Sequence, residues 1–293
     1  MIGFRYLLYK LRQNPLSIVG ITLVFIFIIL AILAPVLAPP QKADPFQIPR
    51  YGYSPTPQDP SSAHIFGLTE GQFDIFYGVI WGVRSAFKVG LIVIFSVLAL
   101  GITLGSLAGY FGGKIDEIIM RIADIFLAFP SLILAMTVTV ALGPGLNSVM
   151  LALIVVSWPV YARLIRGDIL SIRKEDYIEA ARGMGASNFR IITRHVLPNS
   201  IYSTIVMASL DIGAIVLAAA SLSFLGLGAP EGYADWGQMI QYARNWLVGP
   251  AGDPLAYWYT AVIPGLFILF FVLGWNLLGD AFRDILDPRL SKR

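Results

Sequence analysis

The feature that most constrains this chain is the stretch Ile125–Ala162, which contains no charged residue. About 20 consecutive apolar residues cross the hydrocarbon core of a bilayer, so this stretch is too long for one crossing. It is interrupted at Gly143–Gly145 by the sequence Gly-Pro-Gly, which favours a turn over continued helix. We therefore predict two membrane spans here, near Ile118–Leu142 and Ser148–Ile165.

Four further stretches are long and apolar enough to cross a membrane. They are Leu16–Leu37, Val89–Tyr110, Ile201–Leu225 and Leu255–Leu278. The composition agrees, because 13% of the residues are charged, about half of the roughly 25% that is typical of a soluble domain. The first stretch is too long for the apolar region of a signal peptide, so we interpret it as a retained span. We predict an all-α polytopic membrane protein with six transmembrane helices.

Lysine and arginine are concentrated on one side of the predicted membrane. With the N-terminus inside, sixteen of the 21 basic residues fall in cytoplasmic segments and five fall in outer segments. Cytoplasmic segments of membrane proteins carry such an excess of basic residues. We therefore predict a multi-pass protein of the cell membrane with both termini in the cytoplasm. The five outer basic residues are Lys42, Arg50, Arg84, Lys88 and Arg244.

Two outer loops are long. The loop Ala38–Lys88 is rich in proline and aromatic residues, which predicts irregular, partly packed structure. The second loop, 226–254, carries Trp236, Arg244 and Trp246. Its aromatic residues either anchor the chain at the membrane interface or belong to a docking surface for another protein or to a substrate gate.

The spans suggest a division of the chain into two parts. Residues 1–88 would comprise the N-terminal cytoplasmic segment, the first transmembrane helix and the first outer loop. Residues 89–293 would form a core of five transmembrane helices, with a cytoplasmic elbow at 171–198 and the outer loop 226–254.

The sequence lacks the usual catalytic signatures. It has no cysteine, which excludes disulfides, cysteine-ligated zinc and a thiol nucleophile. No phosphate-binding loop is present, because Ala108 stands where the first glycine of G-x-x-x-x-G-K-[ST] should be. We therefore expect no catalytic residue, no metal site and no nucleotide hydrolysis by this chain alone.

Asp211 lies near the middle of the fifth predicted span. A carboxylate at that depth is costly unless it has a partner or contacts water. Asp211 therefore either lines an aqueous path or is hydrogen-bonded to a neighbouring helix. In the second span, Gly101, Gly105 and Gly109 share one helix face, a spacing that favours close helix packing.

One cytoplasmic segment, Glu179–Asn199, is unusually polar. Asp176–Arg182 is compatible with a short helix that stops at Gly183 and Gly185, because glycine accepts the left-handed conformation past a helix end. Ser187 or Asn188 is a suitable cap for a second helix, and Pro198 is predicted to end it.

Each predicted arm of this elbow has an apolar side. Tyr177, Ala180, Ala181 and Met184 share one side of the first arm, and Phe189, Ile192 and Val196 share one side of the second. Glu179, Arg182, Arg190 and Arg194 supply the charge. Such an elbow suits insertion into a groove on another protein; the alternative is a basic loop on anionic lipid. A DNA-binding role is disfavoured because both ends are held by spans, so no nucleic acid partner is expected.

The elbow carries a recognisable motif. The sequence "EAARGMG", nine further residues and "HVLP" resemble the E-A-A-x-x-x-G-x(9)-I-x-L-P loop of type I ABC importer permeases. Matching positions are Glu179, Ala180, Ala181, Gly185, Leu197 and Pro198, whereas His195 replaces the usual aliphatic residue.

Two further motifs resemble the peptide/nickel branch of that family, specifically the C-type membrane subunit of dipeptide and oligopeptide importers. They are "MRIADIFLAFPSLILA" at Met120–Ala135 and "NLLGDAFRDILDPRL" at Asn276–Leu290. One departure is Gly67–Ile75, "GLTEGQFDI", which lacks the Gly-Arg-Asp core that the family commonly has before the second span.

The resemblance implies the type I permease fold and a set of partners. These are a homologous B-type permease, two ATP-binding subunits that carry ATP and Mg²⁺, an extracellular substrate-binding protein and the lipid bilayer. The chain itself would bind no cofactor and would form half of a path for di- or oligopeptides. Import of oligosaccharide or nickel by the same type of complex is an alternative, as is a self-sufficient secondary transporter that couples through Asp211.

The resemblance also assigns roles to residues of the elbow. It would be the coupling element seated on an ATP-binding subunit. Its residues would be Glu179, Ala180, Ala181, Arg182, Gly185, Arg190, Arg194 and Pro198.

Overall fold

The computed structural model describes residues 14–250 and 252–286. Within these residues the chain is helical, with isolated β-bridges but no strand. Outside this part lie the basic N-terminal residues, the C-terminal residues and the end of the Asn276–Leu290 motif. The prediction that both termini are cytoplasmic therefore concerns residues that the structure does not describe. The helices are α1 Pro15–Leu37, α2 Ile75–Phe111, α3 Gly113–Leu127, α4 Ser131–Leu142, α5 Leu146–Ile172, α6 Asp176–Gly183, α7 Asn188–Ile191, α8 Leu197–Ser200, α9 Tyr202–Phe224, α10 Trp236–Ala243 and α11 Trp258–Leu286.

Helices α1, α2, α5, α9 and α11 are each long and apolar enough to cross a membrane. The pair α3 and α4 gives a sixth span if it is counted as one, but the two helices meet at 93°. The span predicted near Ile118–Leu142 is therefore present only as this bent pair of helices. The bend lies at Pro130, whose ring disfavours helical backbone at the residue before it. The predicted break at Gly143–Gly145 is confirmed, since α4 ends at Leu142 and α5 begins at Leu146.

Helix α2 begins at Ile75, well before the predicted Val89, and contains 37 residues. The outer loop therefore ends at Asp74 instead of Lys88, and the division at residue 88 falls inside a helix. Asp74 caps this helix, because its side chain accepts a hydrogen bond from the Tyr77 backbone N–H at 2.9 Å.

Arg84, which the sequence predicts in an outer segment, lies within α2. Its Nε donates to the Ala31 carbonyl of α1 at 2.6 Å. That carbonyl lacks its helical donor, because the residue four positions later is Pro35, which has no N–H. The arginine thus satisfies a backbone group that a proline leaves open, and its charge is compatible with a helix interior.

The glycine face of α2 is a packing seam against α5, as predicted. A methyl group added at Gly105 would lie 2.3 Å from the Ala162 carbonyl oxygen, and one at Gly101 would lie 2.5 Å from Tyr161 Cβ. Only glycine permits this approach of the two helices.

The segment 38–74 is irregular, as predicted, and packs against the segment that precedes α10. The Ala234 N–H donates to the Phe46 carbonyl at 2.7 Å, and the Phe46 ring stacks on Tyr233 with centroids 5.3 Å apart. The two predicted outer loops therefore form one packed unit.

The departure from the family motif has a structural counterpart at Gln72. Among the described residues, it is the non-glycine residue with positive φ, at 61°. Its side chain is buried, and its Nε2 donates to the Thr56 carbonyl at 2.9 Å. This anchor offsets the cost of a left-handed conformation, about 1–2 kcal/mol for a residue with a side chain.

Candidate functional site

The first arm of the elbow is α6, which ends in a glycine-dependent turn. Gly185 has φ of +81°, its N–H donates to the Arg182 carbonyl at 3.0 Å, and the Ala186 N–H donates to the Ala181 carbonyl at 3.1 Å. These two bonds define a Schellman motif, in which the left-handed residue is usually glycine. The predicted stop is confirmed at Gly185, while Gly183 is the last residue of the helix.

The second arm begins at Ser187, whose side chain accepts from the Arg190 N–H at 3.4 Å. Asn188, the other capping candidate, does not cap this arm. Its Oδ1 accepts a hydrogen bond from the Tyr110 hydroxyl at 2.8 Å. Because Tyr110 lies in the last turn of α2, this bond attaches the elbow to a membrane span.

Pro198 does not end the second arm, so that prediction is wrong. Helix α7 continues through a π-helical segment, Ile192–Val196, into α8, which contains Pro198 at its second position. Proline has no N–H to donate to the carbonyl four residues earlier, and a π-helical turn is one way in which a helix accommodates such a defect. Asn199 Nδ2 donates to the His195 carbonyl at 2.6 Å. The arm therefore stays helical almost to the start of α9.

The buried face of the elbow differs from the predicted one. Phe189 does not share the interior with Val196; it is 78% exposed, and Met184 is 82% exposed. The interior is formed by Ile178 and Ala181 from the first arm and Ile191 and Val196 from the second, together with Tyr110, Ile165 and Ile169 from the spans. The sequence pattern could not reveal this, because the spans supply the surface that selects the buried face.

The predicted coupling residues are exposed, except for one. Ala181 is buried in the elbow interior. The exposed ones are Glu179, Ala180, Arg182, Gly185, Arg190, Arg194 and Pro198. Tyr177, Met184 and Phe189 are large apolar side chains exposed on the same elbow. We call these three side chains and the exposed charged residues Glu179, Arg182, Arg190 and Arg194 the coupling surface.

Two arginines, of which the sequence alone reveals only the positive charge, fix the base of the elbow. Arg173 donates to the Gly109 carbonyl at 2.9 Å, in the last turn of α2. Arg166 binds Asp116 through two hydrogen bonds, with Nη2 to Oδ2 at 2.6 Å. Arg121 and Asp124, three residues apart in α3, form an ion pair at 3.9 Å, and Asp124 also accepts a hydrogen bond from Arg163. The spans that carry the elbow are thus linked at its base.

Asp211 in α9 accepts a hydrogen bond from the Tyr161 hydroxyl of α5 at 2.6 Å. The hydrogen-bonded alternative is therefore present in the structure. The aspartate is also partly exposed, whereas Tyr161 is buried. Both properties place a polar group at the junction of α5 and α9. Tyr161 was not found from the sequence, because no local pattern indicates its partner fifty residues away.

Of the three outer-loop candidates, Trp236 lies in the core and has no surface for docking. It is 3% exposed, its Nε1 donates to the Val79 carbonyl at 3.1 Å, and its ring contacts Phe27 edge to face. Arg244 is exposed, and Trp246 is partly exposed. The indole Nε1 of Trp246 donates to Glu70 at 2.8 Å.

A cavity of about 690 Å³ lies beside this region, between α10 and the adjoining loops. Glu70, Glu231 and Tyr242 contribute to its wall. Burial raises the pKa of Tyr242 to about 12, so its hydroxyl stays protonated at neutral pH. The Gly232 N–H donates to that hydroxyl oxygen at 2.7 Å, which holds the loop in place.

Comparison with known proteins identifies the family. Residues 101–292 match the model of the binding-protein-dependent transport system inner membrane component. The chain belongs to this family of transport permeases. Residues 4–60 of the permease also match the N-terminal transmembrane domain of oligopeptide transport permease C. Members of the family are non-catalytic membrane components of ABC transporters, so the expectation that the chain is no enzyme is confirmed.

Relatives of the permease extend over nearly its whole length. It is 40% identical to the dipeptide transport system permease protein of Alkalihalophilus pseudofirmus, over 96% of this chain and 88% of that protein. It is also 40% identical to the probable D,D-dipeptide transport system permease protein of Escherichia coli, over 97% and 91%. The glutathione transport system permease protein of Pectobacterium atrosepticum is 40% identical as well, over 96% and 89%. The resemblance to C-type permeases of peptide importers is confirmed.

Solved structures support the fold of the permease. The inward-facing MetNI methionine ABC transporter gives a TM-score of 0.57 at 21% identity, covering 73% of this chain and 98% of that chain. An amino acid ABC transporter gives 0.53 at 16% identity, covering 71% and 94%. The predicted class, a helical membrane protein with the type I importer permease fold, is confirmed.

Proposed function

We propose that this permease forms half of the translocation path of an ATP-driven importer of di- or oligopeptides. Its partners would be a homologous B-type permease, two ATP-binding subunits and an extracellular substrate-binding protein. The peptide assignment is supported by the relatives, whose names specify dipeptides, D,D-dipeptides and glutathione, all of them short peptides. The distribution of basic residues supports cytoplasmic termini and an elbow on the cytoplasmic side.

The observation that carries this proposal is the attachment of an exposed coupling surface to the membrane spans. Met184 and Phe189 are apolar, almost fully exposed, and accompanied by Arg182 and Arg190. Exposed apolar side chains beside polar ones are typical of a protein interaction site. An ATP-binding subunit is the partner of this surface in the proposed complex.

The hydrogen bonds at the base of the elbow give the proposal its mechanism. A displacement of the elbow by the ATP-binding subunits would be transmitted to α2 through the Asn188–Tyr110 bond and through Arg173. Helix α5 runs directly into the elbow and shares its buried interior. ATP and Mg²⁺ would be held by the partner subunits, with no cofactor on this chain. Their closure and reopening would switch the path between two states.

Asp211 is the proposed polar residue of the path. Because its partner Tyr161 belongs to α5, a movement of α5 changes the surroundings of this carboxylate. Partial exposure leaves it accessible to water or substrate. On the outer side, the exposed Arg244 and the partly exposed Trp246 are the proposed contacts for the binding protein, with buried Trp236 supporting the loop from behind.

Purification of the intact complex from native membranes tests this function. We expect the B-type permease and both ATP-binding subunits to accompany the chain, and mass spectrometry to detect a short peptide in the binding protein. An oligosaccharide or nickel in that protein would contradict the peptide assignment. Uptake by liposomes that contain this chain alone would contradict the whole proposal and favour a secondary transporter.

A further inference from the structure

Four separate segments of the chain form the walls of the cavity beside α10. They are the first outer loop at Glu70 and Gly71, the turn between α4 and α5, the segment 226–231 that follows α9, and α10 with the residues just after it. The cavity volume of about 690 Å³ lies within the range of about 300–1,000 Å³ that is typical of small-molecule sites. A short peptide belongs to the size class of ligands that such cavities hold.

Hydrogen bonds between these segments fix the walls. The Gly145 N–H, in the turn between α4 and α5, donates to the Leu227 carbonyl at 3.0 Å. Trp246 Nε1, which follows α10, donates to Glu70 of the first outer loop at 2.8 Å. Because the loops are already joined, a ligand would not have to order them on binding. The cavity is therefore a preformed site.

The cavity is negatively charged. Glu70 and Glu231 are the charged side chains among the described residues that line it, and no lysine, arginine or histidine is among them. Burial raises the pKa of the Tyr242 hydroxyl most, and the acidic residues Glu231 and Asp235 raise it further. Arg50 lowers this pKa, but by less. The electrostatics of the wall therefore favour a cationic ligand.

An ammonium group suits this wall better than a metal ion does. Within residues 14–250 and 252–286, no group of three or more His, Cys, Asp or Glu side chains is arranged to hold a metal ion. An ammonium group instead needs acceptors for its N–H donors, and carboxylate and amide oxygens are such acceptors.

Gln238 supplies a buried acceptor in the same wall. Its side chain is 5% exposed, and its Nε2 donates to the Ala229 carbonyl at 2.7 Å. Because a carbonyl only accepts, this bond fixes which end of the amide is nitrogen and which is oxygen. The oxygen, Oε1, is buried and has no donor among the described residues. Buried polar groups are nearly always hydrogen-bonded, so this oxygen is suited to accept an N–H from a ligand.

We propose that this cavity is an outer binding site for the amino-terminal end of a short peptide, with Glu70 and Glu231 attracting its ammonium group and Gln238 Oε1 accepting an N–H. The inference rests on the proposed function, which makes peptides the cargo. Helix α5 begins at the cavity wall and runs for 27 residues, roughly 40 Å, to the elbow. The site therefore lies at the opposite end of α5 from the coupling surface, where a peptide would arrive before it enters the path.

Photolabelling of the membrane complex in nanodiscs, without the binding protein, tests the site. The probe is the tripeptide alanyl-(p-benzoylphenylalanyl)-alanine, used with a free amino group and in N-acetylated form. We expect the free peptide to label this chain within residues 226–246, located by mass spectrometry of the digested chain. The acetylated peptide should label it at least tenfold less, and excess trialanine should block the labelling.

Variants that remove one charge assign the effect to the cavity. Glu231→Gln and Glu70→Gln should each lower the labelling by the free peptide at least fivefold. Glu70→Gln keeps an oxygen that accepts from Trp246, so the wall stays intact. Asp253→Asn is the matched control, because Asp253 is an exposed acidic residue of the same outer loop that does not line the cavity. It should leave the labelling unchanged.

Three outcomes would overturn the inference. They are equal labelling by the free and acetylated peptides, labelling of the free peptide beside Asp211 instead of in 226–246, and equal losses in Asp253→Asn and Glu231→Gln. Protection of the cavity from both probes by peptide-free binding protein, with weaker docking of that protein to Glu231→Gln, would also overturn it. The cavity would then accept a basic side chain of the binding protein.

Peptide uptake by the complete transporter tests the proposed function separately. Uptake of trialanine without amine-dependent labelling would remove this site and leave the proposed function standing. Import of oligosaccharide or nickel, with no uptake of peptides, would contradict the proposed function itself.

Discussion

The Tyr110 hydroxyl at the end of α2 donates a hydrogen bond to Asn188 Oδ1 in the elbow at 2.8 Å. A bond of this kind contributes about 0.5–1.5 kcal/mol, which corresponds at most to roughly a tenfold change in an equilibrium constant. Tyr110→Phe should therefore weaken the transmission of elbow movement without unfolding the chain. We expect fewer peptides taken up per ATP hydrolysed in proteoliposomes. Tyr202→Phe, at an exposed tyrosine of α9, is the control, and equal coupling ratios in the two variants would argue against the link.

The effect of a substitution at Gly185 should depend on how readily the new residue adopts a positive φ, and not on the size of its side chain. Nothing lies within 4 Å of a Cβ added there, but its φ is +81°. Gly185→Leu and Gly185→Ala should each cost about 1–2 kcal/mol through left-handed strain. Gly185→Asn should cost less, because asparagine tolerates that conformation. The measurements are uptake and retention of the ATP-binding subunit.

Gly183 provides the matched control for this prediction. It lies in the helix, has free space around it and has no positive φ. Gly183→Ala should be neutral or stabilise the elbow by about 0.4–1 kcal/mol. Loss of coupling in Gly183→Ala equal to that in Gly185→Ala would mean that the turn geometry is not what matters.

Two substitutions separate the structural and transport roles of Asp211. Asp211→Asn keeps an oxygen that can accept from Tyr161 but removes the charge, so uptake should fall while the thermal midpoint of the complex stays near that of the wild type. Tyr161→Phe removes the donor at 2.6 Å, so the midpoint should fall. Unchanged uptake by Asp211→Asn would leave Asp211 with a purely structural role.

Arg84 and Pro35 should show a compensating pair of effects. Arg84→Met leaves the partly buried Ala31 carbonyl without its donor, which costs at most about 1–3 kcal/mol, the range for a fully buried polar group. In the Pro35→Ala background the helix supplies an N–H to that carbonyl, so the same arginine substitution should cost less. Thermal unfolding in lipid nanodiscs measures both. Equal losses in the two backgrounds would contradict the proposed role of Arg84.

Features that depend on neighbouring residues were predictable from the sequence. The break at Gly143–Gly145 and the turn at Gly185 follow from local backbone chemistry, and the structure contains both. The early start of α2 was not predictable, because a charged residue such as Arg84 favours a loop outside the membrane. Its hydrogen-bond partner, the Ala31 carbonyl, lies 53 residues away in the chain. Pro130 lies in an uncharged run, and apolar composition alone does not distinguish a straight span from one bent by 93°.

In the candidate site, too, features set by neighbouring residues were predictable from the sequence and features set by distant contacts were not. The motif around Glu179 and Gly185 located the elbow, and most of its coupling residues are exposed. The sequence predicts Phe189 on the buried face and Trp236 as a docking candidate, whereas Phe189 is exposed and Trp236 is buried. The sequence does not show this, because tertiary contacts decide which side of a short amphipathic helix is covered. Tyr110 and Arg173 carried no local signal, since their hydrogen bonds join distant segments.

The most direct test of the central claim is the amount of ATP-binding subunit that co-purifies with Phe189→Asp. Phe189 is exposed and contributes to the coupling surface, so the substitution leaves the fold intact and places a charge in the proposed contact. The account predicts that the ATP-binding subunit is lost while the companion permease is retained. Wild-type amounts of ATP-binding subunit, with peptide uptake unchanged, would contradict it.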